Sequence, residues 1–150
     1  MDRTFQRFDG REIKTPVRYV EDYISEDSGV FVGTDSQVYT GHTKFVTAVC
    51  MYDGDCGAHV IYDSEKVYRP EQQLFNRLWK EAESTLEVAG SLGEKIGIKK
   101  VHMHFDINPS EEYGSHVVHE AAVGLAKSSG FSFNMKPKAW AATCAADHLN

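Results

Sequence analysis

Three apolar segments rich in β-branched and aromatic residues follow one another closely in this chain. The first is Val30–Asp35, the second is Thr43–Tyr52, and the third runs from about Ala58 to Tyr68. Segments of this kind predict β-strands. The sequence DGDCG at Asp53–Gly57 joins the last two, and Asp-Gly pairs are typical of tight hairpin turns. The pattern therefore predicts a three-stranded antiparallel meander.

Helices and strands alternate after the meander. The spacing of apolar residues predicts a long helix over about Pro70–Leu92 and a strand at Val101–Asp106. A second helix at about Ser115–Ser129 precedes a short strand at Phe131–Met135, and an alanine-rich segment after Pro137 predicts a last helix. Strands joined through helices run parallel. We therefore expect an α/β fold whose mixed five-stranded sheet combines the antiparallel meander with parallel strands and is flanked by helices.

The segment before the meander predicts a short helix. Thr15 suits the N-cap and Pro16 suits the first helical position, and the polar run Ser25–Gly29 ends the helix. No linker or repeat divides the 150 residues, a length typical of one domain. We expect a single domain over residues 1–150 with a short N-terminal helical extension at about residues 1–29.

Composition excludes several classes of protein. The 22 acidic residues outnumber the 16 lysines and arginines, and the net charge of −6 excludes a long basic tether for nucleic acid. The longest apolar stretch, Phe45–Tyr52, is far shorter than the roughly 20 residues of a membrane-spanning helix. Three cysteines without a CxxC pair exclude a zinc ribbon, and the polar first residues are unlike a secretory signal. We expect a cytoplasmic protein without a membrane partner.

Four acidic residues occupy positions where the carboxylate is expected to face the protein interior. Asp35 and Asp106 each end a predicted apolar strand. Glu81 lies at the border of the apolar stripe of the long helix, and Asp147 shares one face of the last helix with Trp140. These four acids are the candidates for a functional site.

Inward-facing carboxylates are costly unless a cation balances them. Burial of an unpaired charge costs several kcal/mol, and two carboxylates about 4 Å apart repel by roughly 4 kcal/mol at an effective dielectric constant near 20. A divalent ion converts this repulsion into coordination, and oxygen ligands suit Mg²⁺ or Mn²⁺ better than zinc. The four acids therefore predict a Mg²⁺ or Mn²⁺ site.

Four short motifs carry a resemblance to a known family. They are GTDSQV, the helix pattern RLWKE…EVA, HFDIN, and the terminal KPKAWAA…AD. Together they resemble the YkuK-like family of predicted ribonuclease H-related proteins, from about Val17 to His148. The order of the elements is also similar to the ribonuclease H fold, so the resemblance implies a ribonuclease H-like domain.

The resemblance implies a two-metal nuclease. It makes Asp35, Glu81 and Asp106 the expected catalytic metal ligands, and Asp147 falls where ribonuclease H-like nucleases carry a more variable fourth ligand. Two Mg²⁺ or Mn²⁺ ions about 3.5–4 Å apart would hydrolyse a phosphodiester bond between them, with Asp35 as the bridging ligand. The implied substrates are RNA, RNA–DNA hybrid or branched DNA.

Other residues near the motifs are expected to support the reaction. Lys136 and Lys138, beside the last helix, are expected to contact the substrate backbone. Ser36 and Gln37 directly follow Asp35, and we expect them to bind substrate as well. His104 has an auxiliary role in this hypothesis, because a nearby imidazole can orient a ligand carboxylate or transfer a proton.

Two alternatives remain open. His102, His104 and Asp106 form an HxHxD pattern on one strand face, and imidazoles favour zinc and a metallohydrolase. The second alternative is a non-catalytic ribonuclease H-fold module that binds nucleic acid or a protein partner, which the net charge of −6 favours. The set Asp35–Glu81–Asp106 favours the enzyme, since a binding module has no need of that repulsion.

Overall fold

The computed structural model describes residues 1–53, 57–68, 74–107 and 116–135. Its elements are, in chain order, β1 (Phe5–Gln6), β2 (Glu12–Ile13), α1 (Pro16–Tyr23), β3 (Gly29–Tyr39), β4 (His42–Tyr52), β5 (Ala58–Val67), α2 (Leu74–Ile96), a 3₁₀ turn (Ile98–Lys100), β6 (Val101–Phe105), α3 (His116–Ser129) and β7 (Ser132–Met135). The start of the long helix at Pro70 and the last helix after Pro137 lie outside the described residues.

The strands form one mixed sheet in the order β2-β1-β5-β4-β3-β6-β7. β3, β4 and β5 form the predicted antiparallel meander, and β6 and β7 run parallel to β3. The chain reverses between β3 and β4 in two residues, where Gly41 supplies the positive φ of 84° that a tight hairpin requires. The mixed α/β architecture is confirmed.

The expected count of five strands is wrong, because the described residues alone form a sheet of seven. The two additional strands come from the first 13 residues: β1 pairs with β2 and, through Gln6 opposite Tyr62, with β5. Phe5 is fully buried in the core, which attaches this segment to the sheet. Each of these strands has two residues, too few to show a period-2 pattern in the sequence. The predicted helix is present as α1, but the residues before it belong to the sheet.

The main hydrophobic core lies between the sheet and the helices, on what we call the helix face of the sheet. It contains residues of β3 and β6 such as Val30, Val32 and Met103, and residues of α2 such as Leu92. Residues of α1 and α3 belong to the same cluster. The core therefore holds α2 directly against the two central parallel strands, which decides where the side chains of α2 meet β3.

α2 is longer at its carboxyl end than the predicted limit at about Leu92. It continues through Gly93 and ends at Ile96, and the next residue, Gly97, has a φ of 95°. A Cβ atom at Gly93 would lie 2.7 Å from the ring of Phe131. The glycine therefore permits close packing within the helix and does not end it.

The opposite side of the sheet, which we call the Phe31 face, has a smaller cluster of its own. Val46, Ala48 and Cys50 are buried there beside Phe31. The ring of Phe31 stacks on His102 with centroids 5.0 Å apart. Because Val101, Met103 and Phe105 belong to the main core, the predicted alternation of β6 residues between the two faces is confirmed.

Candidate metal centre

Asp35 lies inside β3, four residues before its end. The sequence placed it at the end of the strand, but β3 continues to Tyr39 because the following residues stay paired with β4. Asp35 itself pairs with Val46 and is 6% exposed. The prediction of a strand end was therefore wrong for β3, since the polar residues after Asp35 are part of the hairpin.

The neighbouring parallel strand, β6, ends next to Asp35. Pairing of β3 with β6 stops at Thr34 and Phe105, the last residue of β6. Asp35 and Asp106 are the next residues of the two chain segments, so they follow the same end of the parallel pair. This register brings together two acids that are 71 positions apart in the sequence.

Glu81 approaches the same point from α2. The hydroxyl of Thr85 donates a 2.9 Å hydrogen bond to that of Thr34, and the hydroxyl of Ser36 donates to Glu81 Oε2 at 2.9 Å. Glu81 lies one helical turn before Thr85 on α2, and its partner Ser36 lies two residues after Thr34 on β3. The two contacts position Glu81, which is 5% exposed, at the level of Asp35.

The three carboxylates form one cluster, which we call the acid cluster (Asp35, Glu81 and Asp106). One oxygen from each residue lies within 4.8 Å of one oxygen from each of the others. Asp35 and Glu81 are buried and Asp106 is half-buried. An all-oxygen donor set of this size fits a hard divalent cation such as Mg²⁺ or Mn²⁺.

The electrostatics of the cluster also fit a cation. Burial, and next the charge of Asp35, raise the pKa of Glu81 well above 4.5, its ordinary value, and Asp106 adds to the rise. The hydrogen bond from Ser36 and the charge of Arg77 act in the opposite direction. Without a cation, Glu81 therefore keeps its proton to a higher pH than an ordinary glutamate does, and a bound cation acts in the opposite direction.

The remaining predicted site residues have different surroundings. Ser36 contacts Glu81 and so supports a ligand candidate, whereas Gln37 is exposed and pairs with Lys44 of β4. His104 is fully buried, and burial, followed by the charge of His102, lowers its pKa to about 4. A neutral imidazole at pH 7 favours an orienting role over proton transfer.

Several predicted residues lie outside the described residues. They are Asp147, Lys136, Lys138 and Trp140. The zinc alternative gains no support within the described ranges, because the one group of three potential ligands found there contains three carboxylates and neither His102 nor His104.

Arg77 was not identified from the sequence. It lies one helical turn before Glu81, and its charge lowers the pKa of that residue. Its Nε atom is buried and has no hydrogen-bond partner within the described part of the chain. The i, i+4 spacing of Arg77 and Glu81 on one helix was the signal available.

Comparison with known proteins agrees with this geometry. The family model described as Ribonuclease H-like matches residues 13–150, which include all three members of the acid cluster. No curated protein and no solved structure gives a significant match. In the part of the chain described here, no helix has the length and apolar character needed to cross a bilayer.

Proposed function

The chain belongs to the ribonuclease H-like family, and from this premise we propose that it is a divalent-metal-dependent nuclease. Its substrates in this proposal are RNA, RNA–DNA hybrid or branched DNA. The observation that carries the proposal is the acid cluster, in which Asp35, Glu81 and Asp106 present oxygens within 4.8 Å of one another.

The three carboxylates would hold Mg²⁺ or Mn²⁺. A divalent ion bound there supplies Lewis acidity for the phosphate and lowers the pKa of a bound water. The chain's own contribution is to orient the ligands: the register of β3 and β6 aligns Asp35 with Asp106, and Ser36 holds Glu81 Oε2. We extend the proposal to two ions.

Residues beyond the acid cluster complete the proposed site. Asp147 is proposed as the further ligand that a second ion requires. Lys136 and Lys138 would contact the phosphates of the substrate, and Gln37 would contact it next to Asp35. In this proposal the neutral imidazole of His104 orients a ligand carboxylate.

The burial of Glu81 supports a ligand role over a purely structural one. A carboxylate that is 5% exposed beside two other acids destabilises the metal-free fold. A protein that only needed the fold would gain stability from a neutral residue at this position. A cation bound to the acid cluster would offset this loss of stability, which explains why a carboxylate occupies the position.

A second candidate function is a non-catalytic module that binds nucleic acid or a protein. The net charge of −6 favours the protein-binding form of this module, because a net negative protein attracts a polyanion only weakly. The two candidates differ in one measurable respect: only the enzyme loses its activity when the acid cluster loses its metal.

The deciding experiment is a cleavage assay on labelled single- and double-stranded RNA and DNA, hybrid and four-way junction. Each substrate is incubated with Mn²⁺, Mg²⁺ or EDTA. We expect metal-dependent cleavage that Asp35→Asn lowers by about 10²–10³-fold or more, the loss typical for removal of one electrostatic stabiliser.

Asp63→Asn is the matched control. Asp63 lies on β5 of the same sheet and is also partly buried, but it is paired with Arg3. Cleavage retained in Asp63→Asn and lost in Asp35→Asn supports the nuclease. Absence of cleavage with every metal and substrate, together with retained binding, supports the non-catalytic module instead.

A further inference from the structure

The Phe31 face of the sheet continues beyond Asp35 into two rows of side chains. Residues paired directly across antiparallel strands point to the same face, and residues two apart on a strand share that face. Asp35 pairs with Val46, so the next row on its face contains Gln37, Lys44 and Lys66. We call these three residues the lysine row.

The second row is aromatic, and its two tyrosines are exposed. Tyr39 pairs with His42, and their rings stack with centroids 5.1 Å apart and planes at 14°. Tyr68, directly after β5, places its ring 5.7 Å from that of His42. Tyr39 is 40% exposed and Tyr68 is 72% exposed. We call Tyr39, His42 and Tyr68 the aromatic row.

The hairpin that carries most of the two rows is poor in negative charge, in a chain whose net charge is −6. The sequence contains no aspartate or glutamate from residue 36 to residue 52. Glu65 of β5 pairs with Phe45 and so belongs to the helix face, where Lys80 neutralises it at 3.4 Å. The lysine row therefore presents positive charge next to the acid cluster.

The order and spacing of these features match a nucleic-acid strand. Two residues of a strand span about 7 Å, so the lysine row lies about 7 Å and the aromatic row about 13 Å from Asp35 along β3. A strand whose scissile phosphate lies at the acid cluster would place neighbouring phosphates at the lysines. Its bases would then reach exposed rings, which are the stacking surfaces that single-stranded nucleic acids use.

We infer that the lysine row and the aromatic row bind an unpaired segment of nucleic acid adjacent to the cleaved bond. The inference rests on the proposed nuclease function and specifies its substrate class: a single strand, or a duplex with a single-stranded extension. Bases inside a continuous duplex are stacked on one another and cannot stack on Tyr39 or Tyr68, so a blunt duplex lacks this contact.

Binding in EDTA tests the inference separately from catalysis. The probes are short fluorescently labelled single strands of RNA and DNA and blunt duplexes of the same length, measured by anisotropy. We expect the single strands to bind more tightly, and Tyr39→Ala or Tyr68→Ala to weaken their binding by about tenfold per ring. Tyr68→Phe keeps the ring and should retain binding.

Tyr52→Ala is the matched control, because Tyr52 is an exposed tyrosine at the opposite end of the meander. It should bind like the unmodified protein. Lys44→Gln and Lys66→Gln should each lower the dependence of log K on log salt by about 0.7, the value of one phosphate contact to a single strand. Circular dichroism of each variant verifies that the fold is retained.

Failure of the inference and failure of the nuclease proposal give different results. Equal effects of Tyr52→Ala and Tyr68→Ala, or tighter binding of blunt duplex, overturn the inference even if metal-dependent cleavage is found. Single-strand binding that depends on the two tyrosine rings, without any cleavage, supports the two rows as a binding site and contradicts the nuclease proposal. Concentration-dependent dimerisation that Tyr68→Ala abolishes, without nucleic-acid binding, makes the surface a contact between copies and overturns the inference.

Discussion

The interface between α2 and the sheet contains two groups of acidic residues, of which one is paired with an arginine and the other is a cluster of carboxylates. In one group, Arg3 donates from its guanidinium to Asp63 at 3.2 Å and to Glu87 at 3.0 Å. In the other, the buried Glu81 faces Asp35 and Asp106, with a serine hydroxyl as its hydrogen-bond donor. The same helix and the same sheet supply both groups.

The pKa values show what the difference means. The pKa of Asp63 is raised by burial, and the charge and hydrogen bond of Arg3 limit the rise. Burial also raises the pKa of Glu81, and there the charge of Asp35 adds to the effect. An acid paired with a cation of the chain itself contributes to the fold, whereas a buried glutamate whose pKa is raised further by two neighbouring acids favours a cation from outside.

A chain of threonines separates the two groups. Thr85 donates to Thr34, and the hydroxyls of Thr34 and Thr47 lie 3.0 Å apart, fully buried. Arg3 also donates to Thr47 at 3.4 Å. The neutral hydroxyls thus lie between the two groups, and the cation of Arg3 lies at one end of the chain, paired with Asp63 and Glu87. The contrast between the two groups can be tested by substituting residues of one group at a time.

The largest change in stability is expected from the neutralised group. Arg3→Met leaves Asp63 partly buried without its cation, and we expect it to lower the free energy of unfolding by about 2–3 kcal/mol. Urea unfolding monitored by circular dichroism measures the loss. Arg18→Met is the control, since Arg18 forms an exposed i, i+4 pair with Asp22 and should change stability little. Equal losses of unfolding free energy in the two variants would mean that the pairing of Arg3 with Asp63 does not stabilise the fold.

A substitution in the acid cluster is expected to raise the stability of the metal-free protein instead of lowering it. Asp35→Asn removes one of the repelling charges, so the metal-free protein should become more stable by about 1 kcal/mol. The same variant should lose the rise in melting temperature that Mn²⁺ gives the unmodified protein by mass action. Thermal unfolding in EDTA and in Mn²⁺ measures both effects. Unchanged stability together with an intact Mn²⁺ response would contradict the cluster as a metal site.

The smallest expected effect is the dependence of stability on pH that Glu81 of the acid cluster contributes. The pKa of Glu81 in the folded protein is raised above 4.5, so the folded protein holds this proton to higher pH than the unfolded chain does. The resulting contribution to stability is therefore fully present below about pH 4.5. It is lost as the pH rises through the folded-state pKa, because the unfolded chain then releases its proton more readily.

Comparison with Glu81→Gln isolates this contribution, because glutamine resembles the protonated acid and does not titrate. In EDTA, the difference in unfolding free energy between the variant and the unmodified protein should grow with pH. Saturating Mn²⁺ should reduce the slope for the unmodified protein, since the metal displaces the proton. Two curves that stay parallel from about pH 4 to about pH 8 would exclude a raised pKa at Glu81.

Regular elements were predictable from the sequence where they are long. β4 and β5 begin and end within one residue of the expected positions, because an eleven-residue or ten-residue strand contains enough apolar residues to reveal its period. β1 and β2 could not be recognised, since two residues show no period and their pairing depends on the burial of Phe5. The extension of β3 to Tyr39 was missed because Ser36 and Gln37 interrupt the apolar run, and the continuation of the strand depends on pairing with β4.

The members of the acid cluster were identified from the sequence, but their arrangement was not. Asp35 and Asp106 follow apolar strands and Glu81 borders an apolar helix stripe, which are local patterns. The hydrogen bond between Ser36 and Glu81, and the place of Arg77 beside them, depend on how α2 lies across β3. Periodicity shows which side of an element faces inward but does not show at what level two elements meet.

The sequence by itself determined most of the longer elements of this protein and the inward positions of Asp35, Glu81 and Asp106, because helix and strand periods repeat over a few neighbouring residues. The tertiary structure decided which of the protein's acids are neutralised. Arg3 is 60 positions from Asp63 and 84 from Glu87, yet it pairs with both because β1 adds to the edge of β5 and carries the chain start with it. The parallel register of β3 and β6 brings Asp35 and Asp106 to the end of the same strand pair, where repulsion between carboxylates makes a cation favourable.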